Sequence, residues 1–502
     1  MKNSLFWTCM IISFHTFQVF AQPCKEIVGY YPNWQWYDRS KLVNPLTIDY
    51  SKYSIINYAF FAPQSDGSIN TTDSWADENL LLGQPDWNSG GYVPNTSIVS
   101  QAHLNGVKIV PSIGGWTLSN HFSSIAADPV KRQMFAQACV QLIQTYNFDG
   151  VDIDWEYPGF VDHNGTPADY QNFTLLLQEI RTAIDAYGQS VNKPMILTAA
   201  VSASYTKMDD VDWDNVVPLL DIVNVMSYDY FGAFDPIANH NSPLYAPSQG
   251  DAQFNLDQSI DLLLNTYNVP SDKITAGIAF YGRSMKTTST PALFASNTGQ
   301  ADNVTFQIDE GTPLYYTTLL NFDLFDEHWD ANAKVPYLTG KNGLNTFVSY
   351  DNEESIELKA EFIMDNELKG AIIWEITGDY IETFAGSGVI SETPLANKLN
   401  DVFCNYIPNS EPDTSSTNSL EIVKSNIIVF PNPFTHQFII SGGSEEVDSF
   451  EIYDTCGQLL VAVKVESKED LIVTMDEFQA GIYLLKLSIK NQAVVNQTIV
   501  KK

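Results

Sequence analysis

Residues 149–158 read DGVDIDWEYP, and four of these ten side chains are carboxylic acids. Asp152, Asp154 and Glu156 lie at every second position, so in an extended strand their side chains point to the same face. Asp149 is out of phase with these three. Burying neighbouring carboxylates in a core is costly unless they share protons or accept hydrogen bonds. Such a segment therefore indicates chemistry rather than stability.

The chemistry that suits this spacing is proton transfer. A carboxyl group held beside other carboxylates keeps its proton to a higher pH than usual, because like charges disfavour ionisation. We expect Glu156 to be a general acid whose pKa is raised by Asp154. Asp152 lies one step deeper and could share a proton with Asp154. The three groups should titrate as one coupled set.

Two other interpretations of the acidic strand stay open from the residues alone. Magnesium and calcium both prefer carboxylate oxygens, so the strand could hold a metal ion. However, DIDWE lacks the glycine turn of a calcium-binding loop, and no phosphate-binding loop accompanies it. We therefore expect no metal and no cofactor. The second alternative is a structural carboxylate cluster without chemistry.

Composition limits the class of protein and its partners. The chain has 502 residues, which suggests more than one domain, and 44% of them are hydrophobic, as in a well-packed globular protein. The 26 Lys and Arg residues face 60 Asp and Glu residues, giving a formal net charge of −34. This charge repels nucleic acid and anionic membranes, so we expect neither as a partner.

The N-terminus indicates export. A lysine at position 2 precedes an apolar run to about residue 20, and polar residues follow directly. We predict that residues 1–21 are a signal peptide, with a membrane anchor as the alternative. No later stretch reaches the apolar length of a membrane span, so none is expected after cleavage.

Cysteine spacing agrees with an oxidising compartment. Cys24 and Cys404 flank the large central region, and a bond between them would tie its two ends together. Cys139 falls in a helical pattern, where we expect it to pack as a small buried residue. Cys9 leaves with the signal peptide.

Eight short apolar or β-branched runs alternate with amphipathic helical patterns after the signal. The runs cover 27–31, 53–61, 107–115, 149–155, 195–202, 221–229, 274–282 and 371–376. The pattern predicts an α/β fold, a (β/α)₈ barrel, with an open doubly wound sheet as the alternative. In a barrel the active site lies at the carboxyl ends of the strands, and Glu156 ends the fourth run.

The remaining segments predict further domains. The catalytic barrel would cover 22–404, and residues 285–349 read as a small α+β domain inserted into it. Residues 405–420 are a polar linker rich in Ser, Thr and Pro. Residues 421–502 alternate strands with turns, which predicts a C-terminal β-sandwich.

The acidic strand has the pattern DxxDxDxE, which resembles the signature of family 18 glycoside hydrolases, the chitinases and their relatives. Other motifs of that family follow in the same order along the chain. They are YYPNW (30–34), SIGGW (112–116), MSYD (226–229), YGRS (281–284) and IWE (373–375). The inserted segment, with AKVPYL and FVSYD, resembles the chitinase insertion domain of the family. The resemblance covers about 25–400.

The resemblance implies a mechanism and roles for the acidic residues. Glu156 would protonate the glycosidic oxygen and later activate water, while the substrate's own 2-acetamido carbonyl attacks the anomeric carbon. An oxazolinium intermediate and net retention would follow. Asp154 would orient the acetamide N–H, and Asp152 would hold or release the proton that lets Asp154 turn. Tyr228 would donate a hydrogen bond to the acetamide oxygen.

The resemblance also implies the residues that bind sugar. Trp374 would be the floor under the −1 sugar, and Trp116 a +1 platform. Tyr30 and Ser112 would support Asp152. The full set of expected substrate-binding residues is Tyr30, Phe60, Trp116, Met226, Asp229, Arg283 and Trp374. Many relatives have a tryptophan shortly after MxYD where this chain has Phe234, so we expect weaker or displaced stacking on the product side.

The C-terminal module is similar to the sorting domain of bacterial type IX secretion cargo, through IIVFPNPF, IYDTCGQLL and AGIYLLKL. This resemblance implies the type IX machinery as a partner and a location outside, or on the surface of, a Gram-negative bacterium. A carbohydrate-binding sandwich is the alternative. The module has Tyr453 and Tyr483 but no tryptophan for a sugar platform.

Together these features predict a secreted, monomeric chitinase that cleaves β-1,4 bonds in chitin or chitooligosaccharides. One alternative is an endo-β-N-acetylglucosaminidase that trims N-glycans by the same acetamide chemistry. The other is a non-catalytic chitin-binding lectin, although such relatives usually lose the acid that Glu156 represents. Endo or exo action, processivity, preferred pH and removal of the C-terminal domain stay open.

Overall fold

A computed structural model describes residues 24–307 and 310–406, and part of the C-terminal region. The C-terminal residues it describes are 428–430, 434–441, 447–453, 459–465, 471–475, 478, 481–489 and 494–501. The predicted signal peptide, Cys9 and most of the predicted linker lie outside the described residues. The chain divides into two compact units, Met1–Asn409 and Ser410–Lys502.

The first unit contains a closed barrel of eight parallel strands. They are β1 (Glu26–Pro32), β2 (Ile55–Pro63), β3 (Lys108–Gly114), β4 (Gly150–Asp154), β5 (Ile196–Ser202), β6 (Ile222–Met226), β7 (Ile274–Ala279) and β8 (Gly370–Trp374). Strand β1 pairs in parallel with both β2 and β8, which closes the barrel. The predicted (β/α)₈ fold is confirmed, and the open sheet is excluded.

Helices cover the outside of the barrel. The longer ones are Ile98–Leu104, Pro129–Tyr146, Asp169–Val191, Glu353–Asp365 and Pro394–Asn405. Shorter ones are Ser74–Asp77, Phe122–Ala127, Tyr205–Met208, Trp213–Val216 and Leu256–Asp261. The helix Leu256–Asp261 continues as a π-helical turn, Leu262–Thr266. Apart from polar residues in the barrel interior, the strands are largely apolar, because helices bury their outer face and the barrel interior buries the other.

An antiparallel sheet of four strands lies between β7 and β8 in the chain. Its strands are Arg283–Lys286, Phe325–Asp330, Val335–Gly340 and Thr346–Ser349, and the helix Tyr315–Leu320 accompanies them. The first of these strands follows β7 after three residues, slightly before the predicted start of the insertion at 285. The inserted sheet therefore starts at the rim where the barrel strands end.

The second unit consists of two antiparallel sheets. One has the strands Ile428–Phe430, Gln437–Ser441 and Leu471–Thr474. The other has the strands Val447–Tyr453, Leu459–Lys464, Gly481–Ile489 and Val494–Lys501. Side chains of both sheets share one apolar core that includes Phe438, Phe450 and Leu485. This strand-rich architecture agrees with the predicted β-sandwich.

The first unit is joined at its ends by a disulfide. Cys24 and Cys404 are bonded, with 5.1 Å between their Cα atoms. Cys139 is a buried free thiol, as the helical pattern predicted. In the part of the chain that the structure describes, no helix is long and apolar enough to cross a membrane.

Removing the disulfide should lower the thermal stability of the barrel. The bond links residues 380 positions apart, so its loss restores chain entropy to the unfolded state. Disulfides typically stabilise a protein by about 3 kcal/mol. Divided by the unfolding entropy of a barrel of this size, this free energy corresponds to a fall of roughly 4 °C in the Tm of Cys24→Ser. Differential scanning calorimetry measures it.

The control is Cys24→Ser combined with Cys404→Ser, which should melt like the single variant. A reductant should lower the Tm of the wild type alone. An unchanged Tm in all variants would contradict the stabilising role of the bond.

Candidate active site

Asp149, the carboxylate that is out of phase with the other three, lies immediately before β4. Its Oδ2 accepts hydrogen bonds from His103 Nε2 at 2.9 Å and from the backbone N–H of Ile109 at 2.7 Å. Lys193 Nζ lies 2.6 Å from Oδ1. Burial raises the pKa of Asp149, but these partners outweigh it and hold the pKa below its usual value. Asp149 is therefore a structural residue.

Asp152 lies inside the barrel beneath the cleft and accepts four hydrogen bonds from neutral groups. The hydroxyls of Tyr30 and Ser112 each donate to Oδ2 at 2.8 Å. The Thr198 hydroxyl and the Asn224 amide donate to Oδ1. Burial raises the pKa of Asp152, and the four donors offset this only in part. The predicted support by Tyr30 and Ser112 is present, and strands β5 and β6 supply the other two donors.

Asp154 is buried between its two acidic neighbours. Among the described residues its Oδ1 has no hydrogen-bond partner. Burial, and then the charges of Glu156 and Asp152, raise the pKa of Asp154 well above its usual value. Asp154 therefore holds its proton more strongly than an ordinary carboxyl group, and its Oδ1 is an oxygen that is available to a ligand.

Glu156 lies two residues beyond the end of β4 and faces the cleft. Burial and the negative charge of Asp229 raise its pKa to about 7, although hydrogen bonds with Tyr157 and the backbone of Trp116 act in the other direction. A carboxyl group with a pKa near 7 both gives and takes protons readily at neutral pH. Glu156 is thus suited to acid–base catalysis.

The glycine pair before Trp116 lets β3 pass close to the acidic strand. Gly114 has φ of 116°, and a Cβ there would collide with the backbone carbonyl of Asp154. Gly115 has φ of 91°, and a Cβ there would meet the ring of Phe60. Both positions therefore require glycine.

Two further polar groups follow strand β6. Tyr228 is buried, and burial followed by the charge of Asp154 raises its pKa well above the usual value, so its hydroxyl is a hydrogen-bond donor. Asp229 has a left-handed backbone, with φ of 60°. Its Oδ1 accepts from the Tyr281 hydroxyl at 2.5 Å and from Arg283 Nε at 2.6 Å. The inserted sheet supplies this arginine.

Aromatic rings form the floor of the site. Trp374 ends β8 and stacks on Phe60 from β2, with ring centroids 5.6 Å apart and an interplanar angle of 16°. Tyr30 and Trp34 contact Trp374 at centroid distances of 5.5 and 6.3 Å. Such faces suit the C–H face of a sugar ring.

These residues line one cleft of about 1170 Å³. Ten of the eleven predicted catalytic and substrate-binding residues lie in it, and Asp152 lies directly below. The ten are Tyr30, Phe60, Trp116, Asp154, Glu156, Met226, Tyr228, Asp229, Arg283 and Trp374. Trp116 is 53% exposed and Phe234 is 66% exposed, so both present rings to a ligand. Phe234 therefore keeps an aromatic group in the cleft, where its ring lies 5.5 Å from the Arg283 guanidinium.

The residues that line the cleft but were not predicted from the sequence include Trp34, Tyr157 and Lys207. Trp34, which is 46% exposed, and Tyr157 were inside the quoted motifs YYPNW and DWEYP, yet nothing in those motifs separates them from core aromatics. Lys207 follows β5 in a segment without a recognisable pattern. Among the described residues, no group of three or more His, Cys, Asp or Glu side chains is arranged to hold a metal ion.

A carboxyl proton donor at the end of a barrel strand, close to an aromatic floor, is typical of the active site of a glycoside hydrolase. The family model for glycosyl hydrolases family 18 matches residues 26–379, and the chain belongs to that family. A second model, the secretion system C-terminal sorting domain, matches residues 428–502. Both resemblances seen in the sequence are confirmed.

Relatives of this chain include several chitinases. It is 33% identical to chitinase A1 of Niallia circulans over 71% of this chain and 57% of that protein, so it spans little more than half of that relative. The Ostrinia furnacalis group IV chitinase in complex with allosamidin superposes with a TM-score of 0.65 and 28% identity, covering 76% and 99% of the two chains. A family 18 N-acetylglucosaminidase of Paenibacillus barengoltzii has a TM-score of 0.61 and 28% identity, covering 75% and 99%.

The negative charge of Asp229 should affect the pH dependence of activity. Because this charge raises the pKa of Glu156, Asp229→Asn should lower that pKa. Glu156 acts as an acid only while protonated, so activity falls as pH rises through its pKa of about 7. We expect the alkaline limb of the kcat/KM profile to move to lower pH by about half a unit.

Arg283→Gln is the matched opposite variant, because it removes the cation that neutralises Asp229. Its alkaline limb should move to higher pH. If the alkaline limb of the kcat/KM profile stays at the same pH in both variants, Asp229 does not act on Glu156 electrostatically.

Proposed function

We propose that this protein is a secreted chitinase that hydrolyses β-1,4 bonds between N-acetylglucosamine units with retention, by substrate-assisted catalysis. The observation that carries the proposal is the buried Oδ1 of Asp154, which has no hydrogen-bond partner among the described residues and lies in the same cleft as Glu156 and the hydroxyl donor Tyr228. These groups match the N–H and the carbonyl oxygen of an acetamido group. The chitinases among the relatives support the choice of substrate.

In the first step Glu156 gives its proton to the glycosidic oxygen as the bond from that oxygen to the anomeric carbon breaks. The acetamido carbonyl oxygen of the same sugar attacks the anomeric carbon and forms an oxazolinium ion. Tyr228 donates a hydrogen bond to that acetamido oxygen. Asp154 accepts a hydrogen bond from the acetamido N–H, which satisfies its buried oxygen and orients the acetamido group for attack.

In the second step the carboxylate of Glu156 takes a proton from water. The resulting hydroxide equivalent attacks the anomeric carbon from the face that the leaving group left, and the oxazolinium ring opens. Two inversions give net retention. The four neutral donors around Asp152 let it carry a negative charge when the proton of Asp154 faces the other way.

The aromatic floor fixes the sugar that reacts. Trp374 would lie under the −1 ring, with Phe60 stacked on it and Tyr30 packed against it at a tilted angle. Trp34 and the exposed Trp116 extend the aromatic surface along the cleft. A polymer of N-acetylglucosamine presents a repeated apolar face to such a surface.

The alternatives are weaker on the same observations. A lectin does not need a carboxyl group whose pKa is raised to about 7. The family 18 N-acetylglucosaminidase among the similar structures supports an N-acetylglucosaminidase activity as a second candidate. An enzyme that trims N-glycans would need a cleft open to branched mannose, and release of glycans from a glycoprotein would favour it.

The C-terminal unit supports a proposal on location. The sorting-domain match over 428–502 supports export through the type IX machinery of a Gram-negative bacterium, to the medium or the cell surface. We retain the monomer as the expected state.

Replacing the acid should abolish hydrolysis but not binding. In Glu156→Gln the side chain keeps its shape and loses its transferable proton, so kcat on chitohexaose should fall by about 10²–10⁴-fold. Mass spectrometry of the products measures the loss, and calorimetric titration measures binding. Glu354→Gln, which changes an exposed helix residue, is the matched control with unchanged activity. Full activity of Glu156→Gln would refute the mechanism.

Removing the sorting unit should block the last stage of export. A chain truncated after residue 420, expressed in a type IX-competent host, should remain in the periplasm, whereas the full chain should reach the medium or the cell surface. Immunoblots of cell fractions measure this. Equal export of both chains would show that the C-terminal unit has another role, such as binding carbohydrate.

A further inference from the structure

The backbone of Glu156 is held at both ends. Its N–H donates to Ser119 Oγ at 2.9 Å, and its carbonyl oxygen accepts from His163 Nδ1 at 2.5 Å. Ser119 Oγ in turn donates to the carbonyl of Gly115 at 3.0 Å. The position of the acid therefore depends on two side chains that do not line the cleft.

His163 also supports the Trp116 platform. The imidazole packs against the Trp116 indole with ring centroids 4.6 Å apart and an interplanar angle of 65°. Phe160 contacts both rings, at 5.1 Å from His163 and 5.6 Å from Trp116. Trp116 is therefore exposed to the cleft on one side and rests on His163 and Phe160 elsewhere.

The protonation state of His163 Nδ1 follows from its partner. A backbone carbonyl only accepts hydrogen bonds, so Nδ1 must carry the hydrogen. The contact with Glu156 is therefore a hydrogen bond that the imidazole donates, and its role is geometric.

We propose that His163 is a positioning residue that links the Trp116 platform to the acid Glu156. The inference rests on the proposed function, in which the oxygen that Glu156 protonates joins the −1 sugar to the sugar on Trp116. The imidazole of His163 then determines the position of the leaving sugar. It also determines the position of the proton that this sugar receives from Glu156. Nothing in the sequence motifs singles out this histidine, which lies seven residues beyond the acid.

Two substitutions separate the two contacts. His163→Phe keeps an aromatic ring against Trp116 but loses the donor to the Glu156 carbonyl. His163→Asn keeps a donor at the place of Nδ1, because the Asn amide nitrogen is the same number of bonds from the backbone, but loses the ring. Val161→Ala, which changes an exposed residue of the same turn, is the control and should match the wild type.

Loss of the donor should appear in kcat and depend on the leaving group. We expect His163→Phe to lower kcat on chitohexaose by about tenfold or more, because small displacements of a catalytic group are costly. The 4-nitrophenyl glycoside of N,N′-diacetylchitobiose has a leaving group that needs little protonation, so its rate of bond cleavage should fall much less.

Loss of the ring should appear in KM and in the cutting pattern. We expect His163→Asn to keep most of kcat, raise KM for chitohexaose several-fold and change the ratio of dimer to trimer products. In a Trp116→Ala background the same substitution should raise KM no further, because both changes remove one platform. Product masses and initial rates provide these values, and melting temperatures identify any variant that is not folded.

The outcomes separate the two proposals. If the wild type cleaves chitohexaose and the variants follow these patterns, the link is supported. If the wild type is active but His163→Phe retains kcat, or His163→Asn retains KM, or the effects of His163→Asn and Trp116→Ala add, the link is overturned while the proposed function stands. A wild type that cleaves neither substrate would overturn the proposed function and this inference with it.

Discussion

Three buried carboxyl groups at alternate positions, two on strand β4 and one just beyond its end, cannot all ionise, because each charge loses its hydration and repels the next. The structure meets this constraint with different surroundings for each group. Asp152 accepts four hydrogen bonds from neutral groups, burial and the neighbouring charges raise the pKa of Asp154 well above its usual value, and Glu156 has a pKa of about 7. Glu156, at the edge of the cleft, therefore carries a proton that it can transfer near neutral pH.

Much of the fold serves this arrangement. The four donors to Asp152 come from four different barrel strands, so only a closed barrel brings them together. The glycines after β3 allow close approach to Asp154, and the inserted sheet supplies Arg283 to balance Asp229. The disulfide between Cys24 and Cys404 joins the two ends of the same unit.

The barrel could be predicted because buried parallel strands read as continuous apolar runs, and all eight runs fall on barrel strands. Alternation along one strand was enough to place Asp152, Asp154 and Glu156 on one face. Contacts between distant segments have no such periodicity. Thr198 and Asn224 look like ordinary strand residues, and His163 looks like an ordinary loop residue, until the fold brings them to β4.

The central claim is that the substrate's acetamido group, held by Asp154 and Tyr228, is the nucleophile. The most direct test is proton NMR of the anomeric signals during the first minutes of chitohexaose hydrolysis, before mutarotation. We expect the new reducing ends to appear first as the β-anomer. We also expect that a hexamer without acetyl groups is not cleaved. Products that appear first as the α-anomer would contradict it, because they require direct attack by water.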